Sequence, residues 1–431
     1  MSALFSGTFR SLRTHNFRVW SAGAIVSNIG TWMQRTAQDW LVLTQLTHHN
    51  ATAVGIVMAL QFGPQLLMLP WTGYVADHLD RRKLMLATQG IMGVLALGLG
   101  VLTVTHVVQL WQVYIFAFLF GCTSAFDAPA RQIFVNDLVQ EKDVPNAVGL
   151  NSTSFNAGRM IGPAAAGLTI AAFGTGWAFL LNGLSFIAVV ASLLFLRVDE
   201  LQHHQHTKPK AGGLADGFRY VAKRPDLVAM LVMVAFIGTF GFNFAIFIAT
   251  MAVSVFHVGA GKYGLLSSAM ALGTLSGALL AAGRERPTFG LLVGGVALFG
   301  VSCALAALMP DYELFAASLV VTGIAAMTFA NTSNTVMQLT TDPAMRGRVM
   351  AIRLAIMLGG TPIGAPIVGW VADHFGPRYS LGVAALSGVA ATAVGLYYLS
   401  KHENLRVYVR SGRLRVITGP EEDETSDPLR S

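Results

Sequence analysis

The chain has 431 residues, 54% of them hydrophobic and only 12% charged, with a net charge of +7 at pH 7 and a mean hydropathy of +0.57. A soluble domain carries roughly 25% charged residues, so an ordinary water-soluble fold is excluded; about twelve spans of roughly 20 residues would use a little over half of such a chain. The positive charge by itself decides nothing between nucleic acid and membrane topology, because its placement matters more than its size.

In chain order, residues 1–16 are polar, and Met1 to Arg18 holds Arg10, Arg13 and Arg18 without the short apolar run and small-residue cleavage site of a secretory leader. Apolar segments follow at about 17–46, 52–76, 84–106, 110–133, 146–173 and 177–197, each able to span a bilayer as a helix. A polar interruption over 198–225 contains His203, His204 and His206 and reads as a solvated linker, since no Cys or carboxylate stands beside the histidines at ligand spacing. A second apolar series occupies about 226–256, 263–283, 288–309, 312–335, 349–373 and 379–399. The tail, 400–431, starts basic, ends with Glu421, Glu422, Asp423 and Glu424, and is expected to be exposed and mobile. The expectation is an all-α integral membrane protein of twelve transmembrane helices, in two pseudo-symmetric six-helix bundles over 17–197 and 226–399.

An internal repeat supports the division. A shift of 202 residues lays Gly364, Gly369, Phe375, Gly376 and Tyr379 on Gly162, Gly167, Phe173, Gly174 and Trp177. Parallel repeats of this kind place a substrate site between the halves near mid-membrane. If the N-terminus is cytoplasmic, the inner connections hold Arg81, Arg82, Lys83, Lys142, the 197–224 stretch, Arg284, Arg286, Arg346 and Arg348, against Lys262 and Arg378 outside. Lys and Arg flanking helices stay on the cytoplasmic side, so both termini are expected there. Cys122 and Cys303 lie in apolar segments and are read as small core residues, which leaves the redox compartment undetermined.

Arg35 and Asp39 are four residues apart on one face of the first helix, with Asn28, Thr31 and Gln38 along nearly the same stripe. A charge at the bilayer centre costs about 2.5–3.5 kcal/mol on insertion scales, so this face is expected to line an aqueous cavity or meet a partner. Two roles for Asp39 stay open: proton carrier when the cavity faces outward, or structural ion pair with Arg35. Arg159 in the fifth segment and Arg353 at the start of the eleventh are further intramembrane cations, suited to attracting an anionic group, lining a cavity or pairing with Asp127. Among the amides, Asn243 and Asn331 join Gln61, Gln65, Asn151, Asn156 and Asn334 as pathway candidates, with interhelical hydrogen bonding the alternative for each. Phe236, Phe240, Phe244 and Phe247 recur at helical spacing and suit a core or lipid face, or an adaptable apolar cavity.

The connection after the second segment reads Gly73-Tyr-Val-Ala-Asp77-His-Leu-Asp80-Arg81-Arg82-Lys83. It resembles the signature loop of the major facilitator superfamily at Gly73, Asp77, Arg81 and Arg82, with Asp80 replacing the usual second glycine. The resemblance implies the major facilitator fold. It also implies that Asp77 and Arg81 belong to a charge network latching the halves in the outward-facing state, with Asp127 as the acid near the end of the fourth helix and Arg131 beside it. In the fifth segment, Gly149, Gly158, Gly162-Pro163 and Gly167, with Ala166 replacing a glycine, is similar to the antiporter motif of the superfamily's drug/proton exporters. Tight helix packing is the other meaning of such a run. Three further strings, Trp32 to Trp40, Asp143 to Ala147 and Arg346 to Val349, resemble the branch that includes bacterial enterobactin exporters, macrolide efflux proteins and transmembrane secretion effectors. The resemblance covers about 10–400.

Gly259-Ala260-Gly261-Lys262-Tyr263 is no phosphate loop, because Phe256 occupies the first glycine position and Tyr263 the Ser/Thr position. No metal-ligand spacing, nucleophile motif or dinucleotide fingerprint accompanies it, so neither an enzyme nor a metal or cofactor is expected, and an ion or solute gradient must supply energy. The sequence is therefore read as a secondary active transporter of the cell membrane. It exports a small amphiphilic molecule, a drug, siderophore or metabolite, by proton antiport with alternating access. Its partners are that solute, the proton and the lipid bilayer, not nucleic acid, and the resemblance implies a monomer. An importer or proton symporter of the same fold is the nearest alternative, and a non-transporting receptor or scaffold the alternative of another class.

Overall fold

The computed structural model describes residues 9–202, 214–282, 287–402, 406–410 and 413–417. The first group of helices comprises α1 (His15–Leu41), prolonged by a π-turn over Val42–Leu46, α2 (Ala51–Leu67), α3 (Leu69–His78), α4 (Arg81–Val104), α5 (Leu110–Asp137), α6 (Val144–Phe173) and α7 (Thr175–Leu194). The second comprises α8 (Leu214–Ala222), α9 (Pro225–Phe236), α10 (Phe244–Thr250), α11 (Ala260–Ala282), α12 (Phe289–Leu308), α13 (Tyr312–Thr340), α14 (Arg346–Phe375) and α15 (Pro377–His402).

Local signals set the ends. Side chains of Asn50, Asp80, Thr288 and Asp311 accept the backbone N–H three residues on, capping α2, α4, α12 and α13. The two 30-residue helices α6 and α14 stop at Gly174 (φ 93°) and Gly376 (φ 101°), a left-handed conformation in which only glycine avoids a Cβ clash. Pro64 within α2 and Pro70 at the start of α3 remove backbone donors, and the helix is broken at Met68 between them.

Nine helices among the described residues are long and apolar enough to cross a membrane: α4, α5, α7, the α9–α10 unit, and α11 to α15. The expected twelve spans reduce to nine on this criterion. The three segments that fall short are α1, α2 with α3, and α6. The shortfall has two causes: α1 and α6 carry Arg35, Asp39 and Arg159, charged groups that line an inward cavity, whereas α2 is apolar but cut to 17 residues by the break at Met68.

Within the first group α1 packs on α6 and α7, α4 on α5 and α7, and α2 on α5; within the second α11 packs on α13, α12 on α13 and α15, and α9 on α15. The two groups meet along two seams, α2 against α14 and α6 against α11. Glycines seat both seams. A Cβ at Gly167 would lie 2.7 Å from the Ala260 carbonyl oxygen, and one at Gly369 2.5 Å from that of Ala51, while Gly55 and Gly264 press on the Ala365 and Pro163 carbonyls. Asp373 reinforces one seam, its carboxylate accepting the Ala51 and Thr52 backbone N–H at 2.7 and 2.9 Å and the Thr52 hydroxyl at 2.5 Å. These acceptors stand at the N-terminus of α2, where unpaired N–H groups favour negative charge.

Three local features depart from the sequence-based expectation. The segment expected as a continuous helix over 226–256 is broken: a π-turn over Ile237–Gly241 leads into non-helical Phe242 and Asn243, and a second π-turn over Met251–Val255 follows α10. The π-turn holds Gly238 and Gly241, and α14 packs on it through Gly360 and Gly364, where a Cβ at Gly364 would overlap the Thr239 carbonyl. The linker contains α8, whose Val221 is buried and Phe218 exposed. Tyr220 donates from there to Asp342 at 3.0 Å, and the hydrogen bonds from Arg224 to Asp226 push the Arg224 guanidinium above its ordinary pKa. The linker histidines lie outside the described residues. Finally, the described part of the tail carries an antiparallel pair, β1 (Arg406–Arg410) with β2 (Arg413–Ile417) in the register Arg406 to Ile417, which the sequence-based expectation did not include. Alternating basic and apolar residues in these segments are the strand signal that accounts for it.

Candidate functional site

A cavity of about 430 Å³ lies between the two groups of helices, walled by α1, α2 and α6 on one side and by α10, α11, α13 and α14 on the other. Its charged lining residues are Arg35, Asp39 and Arg159. All three come from α1 and α6, whereas the opposite wall contributes Phe242, Phe244, Met270, Met327 and Met357 with the hydroxyls of Ser267 and Thr361.

The α1–α6 wall exists because α6 offers glycines to α1. Gly158 lies against the backbone of Asn28, and a Cβ at Gly162 would sit 2.5 Å from that of Trp32. Side chains at these positions would push α6 away and separate Arg159 from Trp32. As it is, the guanidinium carbons of Arg35 and Arg159 lie 4.9 and 5.7 Å from the Trp32 ring centroid, and Arg35 is also 5.3 Å from Phe62. Such contacts hold a cation by attraction to the ring face and leave its N–H edge unused. Arg35 and Asp39 share a helix face as the spacing implies, but among the described residues no ion pair or hydrogen bond joins them. The Arg35 Nε is buried without a hydrogen-bond partner.

Of the remaining pathway candidates Gln61 also lines the cavity, and those that follow stand off it. Asn28 donates to Ser154 at 3.1 Å and accepts from Arg131 at 3.3 Å. Gln38 is buried without lining the cavity. Asn243 is buried at the helix break, donating to the Thr239 carbonyl at 2.7 Å, with its own oxygen unpartnered. Asn331 lines a smaller cavity of about 190 Å³ with Asn334. Arg353 donates to the Ala330 carbonyl and the Ser333 hydroxyl, both at 3.1 Å, tying α14 to α13.

The expected charge network resolves into two separate arrangements. Arg81 pairs with Asp137 at 2.7 Å, not with Asp127. The reason is length: α5 continues to Asp137, placing Asp127 about 15 Å further up the helix and out of reach. Asp127 is instead buried in a staple within the first group. It accepts from Thr88 (2.8 Å), Gln89 (2.7 Å) and Arg131 (2.8 Å), and Arg131 leads on to Asn28 and Ser154, so that α4, α5, α1 and α6 are joined. Gly73 and Asp77 belong to α3, and their side-chain surroundings fall outside the described residues. Of the antiporter-like run, Gly158, Gly162 and Gly167 are close-approach positions, Pro163 lines the cavity, and a Cβ at Gly149 would meet open space.

Trp32, Phe62, Tyr263 and Asp137 were not singled out from the sequence for these roles. Tyr263 stacks on Trp40 at 5.4 Å and lines the cavity with Asp39. An aromatic residue facing a cavity has the same sequence signature as one facing lipid, so only the packing of the halves distinguishes them.

Residues 6–408 match the family model described as transmembrane secretion effector. The chain is 25% identical to the staphyloferrin A transporter of Staphylococcus aureus over 391 residues, covering 88% of this chain and 95% of that protein. It is 25% identical to the enterobactin exporter of Salmonella choleraesuis over 361 residues, covering 83% and 86%. Among solved structures, a bacterial homologue of the human lysosomal transporter Spinster, in an inward-facing and unoccupied conformation, superposes with a TM-score of 0.69 at 16% identity, covering 89% of this chain and 97% of that one. A nucleoside transporter gives 0.66 at 14%, covering 89% and 98%. At these identities the structural matches establish the fold alone.

Proposed function

The chain belongs to the transmembrane secretion effector family of the major facilitator superfamily, a multi-pass membrane transporter rather than an enzyme, and from that premise we propose that it exports a small amphiphilic molecule by alternating access. The observation that carries this reading is the single cavity wall with Arg35, Asp39 and Arg159 set between two helix groups that touch only through glycine-seated seams and the contacts beside them. Charged groups at that depth are tolerable only beside a wet passage. The spans are twelve when α1, α2 with α3, and α6 are counted with the apolar nine, and the bundles are 17–197 and 226–399. Both termini are cytoplasmic, which puts the seams tied near Ala51 and Ala260 at the outer end. Among a drug, siderophore or metabolite as cargo, the relatives' names favour a siderophore, and the enterobactin exporter's name favours outward movement.

Asp39 is the proton carrier of this reading, since it is the acid that lines the cavity and it has no ion-pair partner there among the described residues. The test is flux in proteoliposomes under an imposed pH gradient, comparing wild type with Asp39→Asn. Loss of the gradient's effect with residual downhill flux is expected; undiminished coupling would remove Asp39 from the role.

One observation favours a second reading, proton symport. An anion bound at Arg35 and a proton on Asp39 would favour each other's binding, which moves both in one direction rather than in exchange. The sign of proton movement during substrate flux separates the two.

A further inference from the structure

Building on the transporter reading, we propose that the cargo bears a carboxylate-type anion, seated on Arg35 and Arg159 beside Trp32, with its apolar body laid against the opposite wall.

The charges lining the cavity are two cations and one acid, and the Arg35 Nε is buried there with no hydrogen-bond partner. Arg35 and Arg159 are held by the Trp32 ring, at 4.9 and 5.7 Å, instead of by a carboxylate. That arrangement fixes two planar donor forks at the cavity wall without consuming their N–H groups. Guanidinium forks recognise carboxylates through paired, charge-assisted hydrogen bonds, a geometry that a neutral amide meets only in part. A primary amine would face two like charges and one opposite charge, and so bind worst.

The division of the lining gives the cargo an orientation. The charges sit on α1 and α6, while the opposite wall presents Phe242, Phe244, Met270, Met327 and Met357. Thr361 in α14 occupies the repeat position of Arg159 in α6, so the opposite wall lacks a matching cation there. The polar head therefore rests on the first group of helices, and flexible thioethers and rings accommodate a variable apolar body on the second.

The test uses the full chain in nanodiscs and three probes of one shape: 4-butylbenzoate, 4-butylbenzamide and 4-butylbenzylamine. Equilibrium dialysis, with empty nanodiscs subtracted, measures each affinity. Because hydrogen bonds to charged groups contribute about 1.5–3 kcal/mol, 4-butylbenzoate should bind roughly ten-fold or more tighter than the amide, with the amine weakest. The double variant Arg35→Gln, Arg159→Gln should lower 4-butylbenzoate to the level of the amide while amide binding persists, and Arg35→Lys should retain part of the preference. The wild-type ranking does not depend on any variant folding. No binding of 4-butylbenzoate, or a different ranking, overturns the proposal, as does a preference that survives the double variant. Flux without a charge preference would sink this inference and leave transport standing; a charge preference without flux in vesicles would do the reverse.

Discussion

α6 and α14 are one element built twice and put to two uses. Both run 30 residues, both end on a left-handed glycine, and both place a glycine on the first residues of a helix from the other group, Gly167 on Ala260 and Gly369 on Ala51. They differ where charge is concerned. α6 lines the cavity with Arg159 where α14 has Thr361, and α14 carries Asp373, which caps α2, where α6 has Ala171. Duplicated backbone geometry thus sustains a symmetric pair of seams, while single side chains place a cavity cation in one repeat and a helix cap in the other.

The most damaging way to break this pairing is to fill an equivalent glycine, Gly162 or Gly364, at which each helix packs within its own group. Gly364→Leu should prevent recovery of a monodisperse protein in size-exclusion chromatography, because the Cβ meets the Thr239 backbone and overpacking costs about 1–3 kcal/mol or more even where neighbours can shift. Gly162→Leu, against the Trp32 side chain, should be nearly as severe, whereas Gly149→Leu, facing open space, should change stability by no more than about 0.5 kcal/mol. Equal tolerance at Gly149 and Gly162 would mean that the spacing of the run has no packing basis.

A smaller effect is expected from unfastening one seam. Asp373→Ala removes the acceptor for the Ala51 and Thr52 amides, and loss of a helix cap costs about 1 kcal/mol, so hydrogen exchange at those amides should quicken roughly five-fold. Unaltered exchange would show that the seam does not depend on the cap. Smallest of all should be the gain from Ala171→Asp, which copies the fastening onto the α6–α11 seam. Exchange at Ala260 to Lys262 should slow by a few tenths of a kcal/mol, the range of an exposed helix-end charge, and substrate flux should fall in step. Faster flux in this variant would contradict the fastening role.

Hydropathy made most of the helices legible, and the repeat spaced by glycines pointed to the equivalence of α6 and α14 before any coordinates. The same measure fails at α1 and α6, where the polar groups of a cavity wall lower the mean hydropathy of the helices that bear them, and at α2 with α3, where the break at Met68 leaves α2 apolar but only 17 residues long. The failure at α1 and α6 is informative, since these two helices supply the cavity's charged residues. Arg35, Asp39 and Arg159 were readable as intramembrane charges, yet their neighbours Trp32, Phe62 and Tyr263 were not, because which rings meet them depends on how distant helices dock. The partner of Arg81 escaped for a simpler reason: the apolar pattern fades near residue 133, while the α5 backbone runs on to Asp137. The break at Phe242 and Asn243 has only Gly238 and Gly241 as local signals in residues 226–256, and the helix packed on it, through Gly360 and Gly364, lies more than a hundred positions away.

Both seams rest glycine against main-chain carbonyl, so backbone fit rather than side-chain shape sets these contacts. Under the proposed alternating access the seams would serve as smooth bearings decoupled from the lining, and residues such as Met327 or Phe244 could be exchanged to admit a different passenger without retooling the hinge.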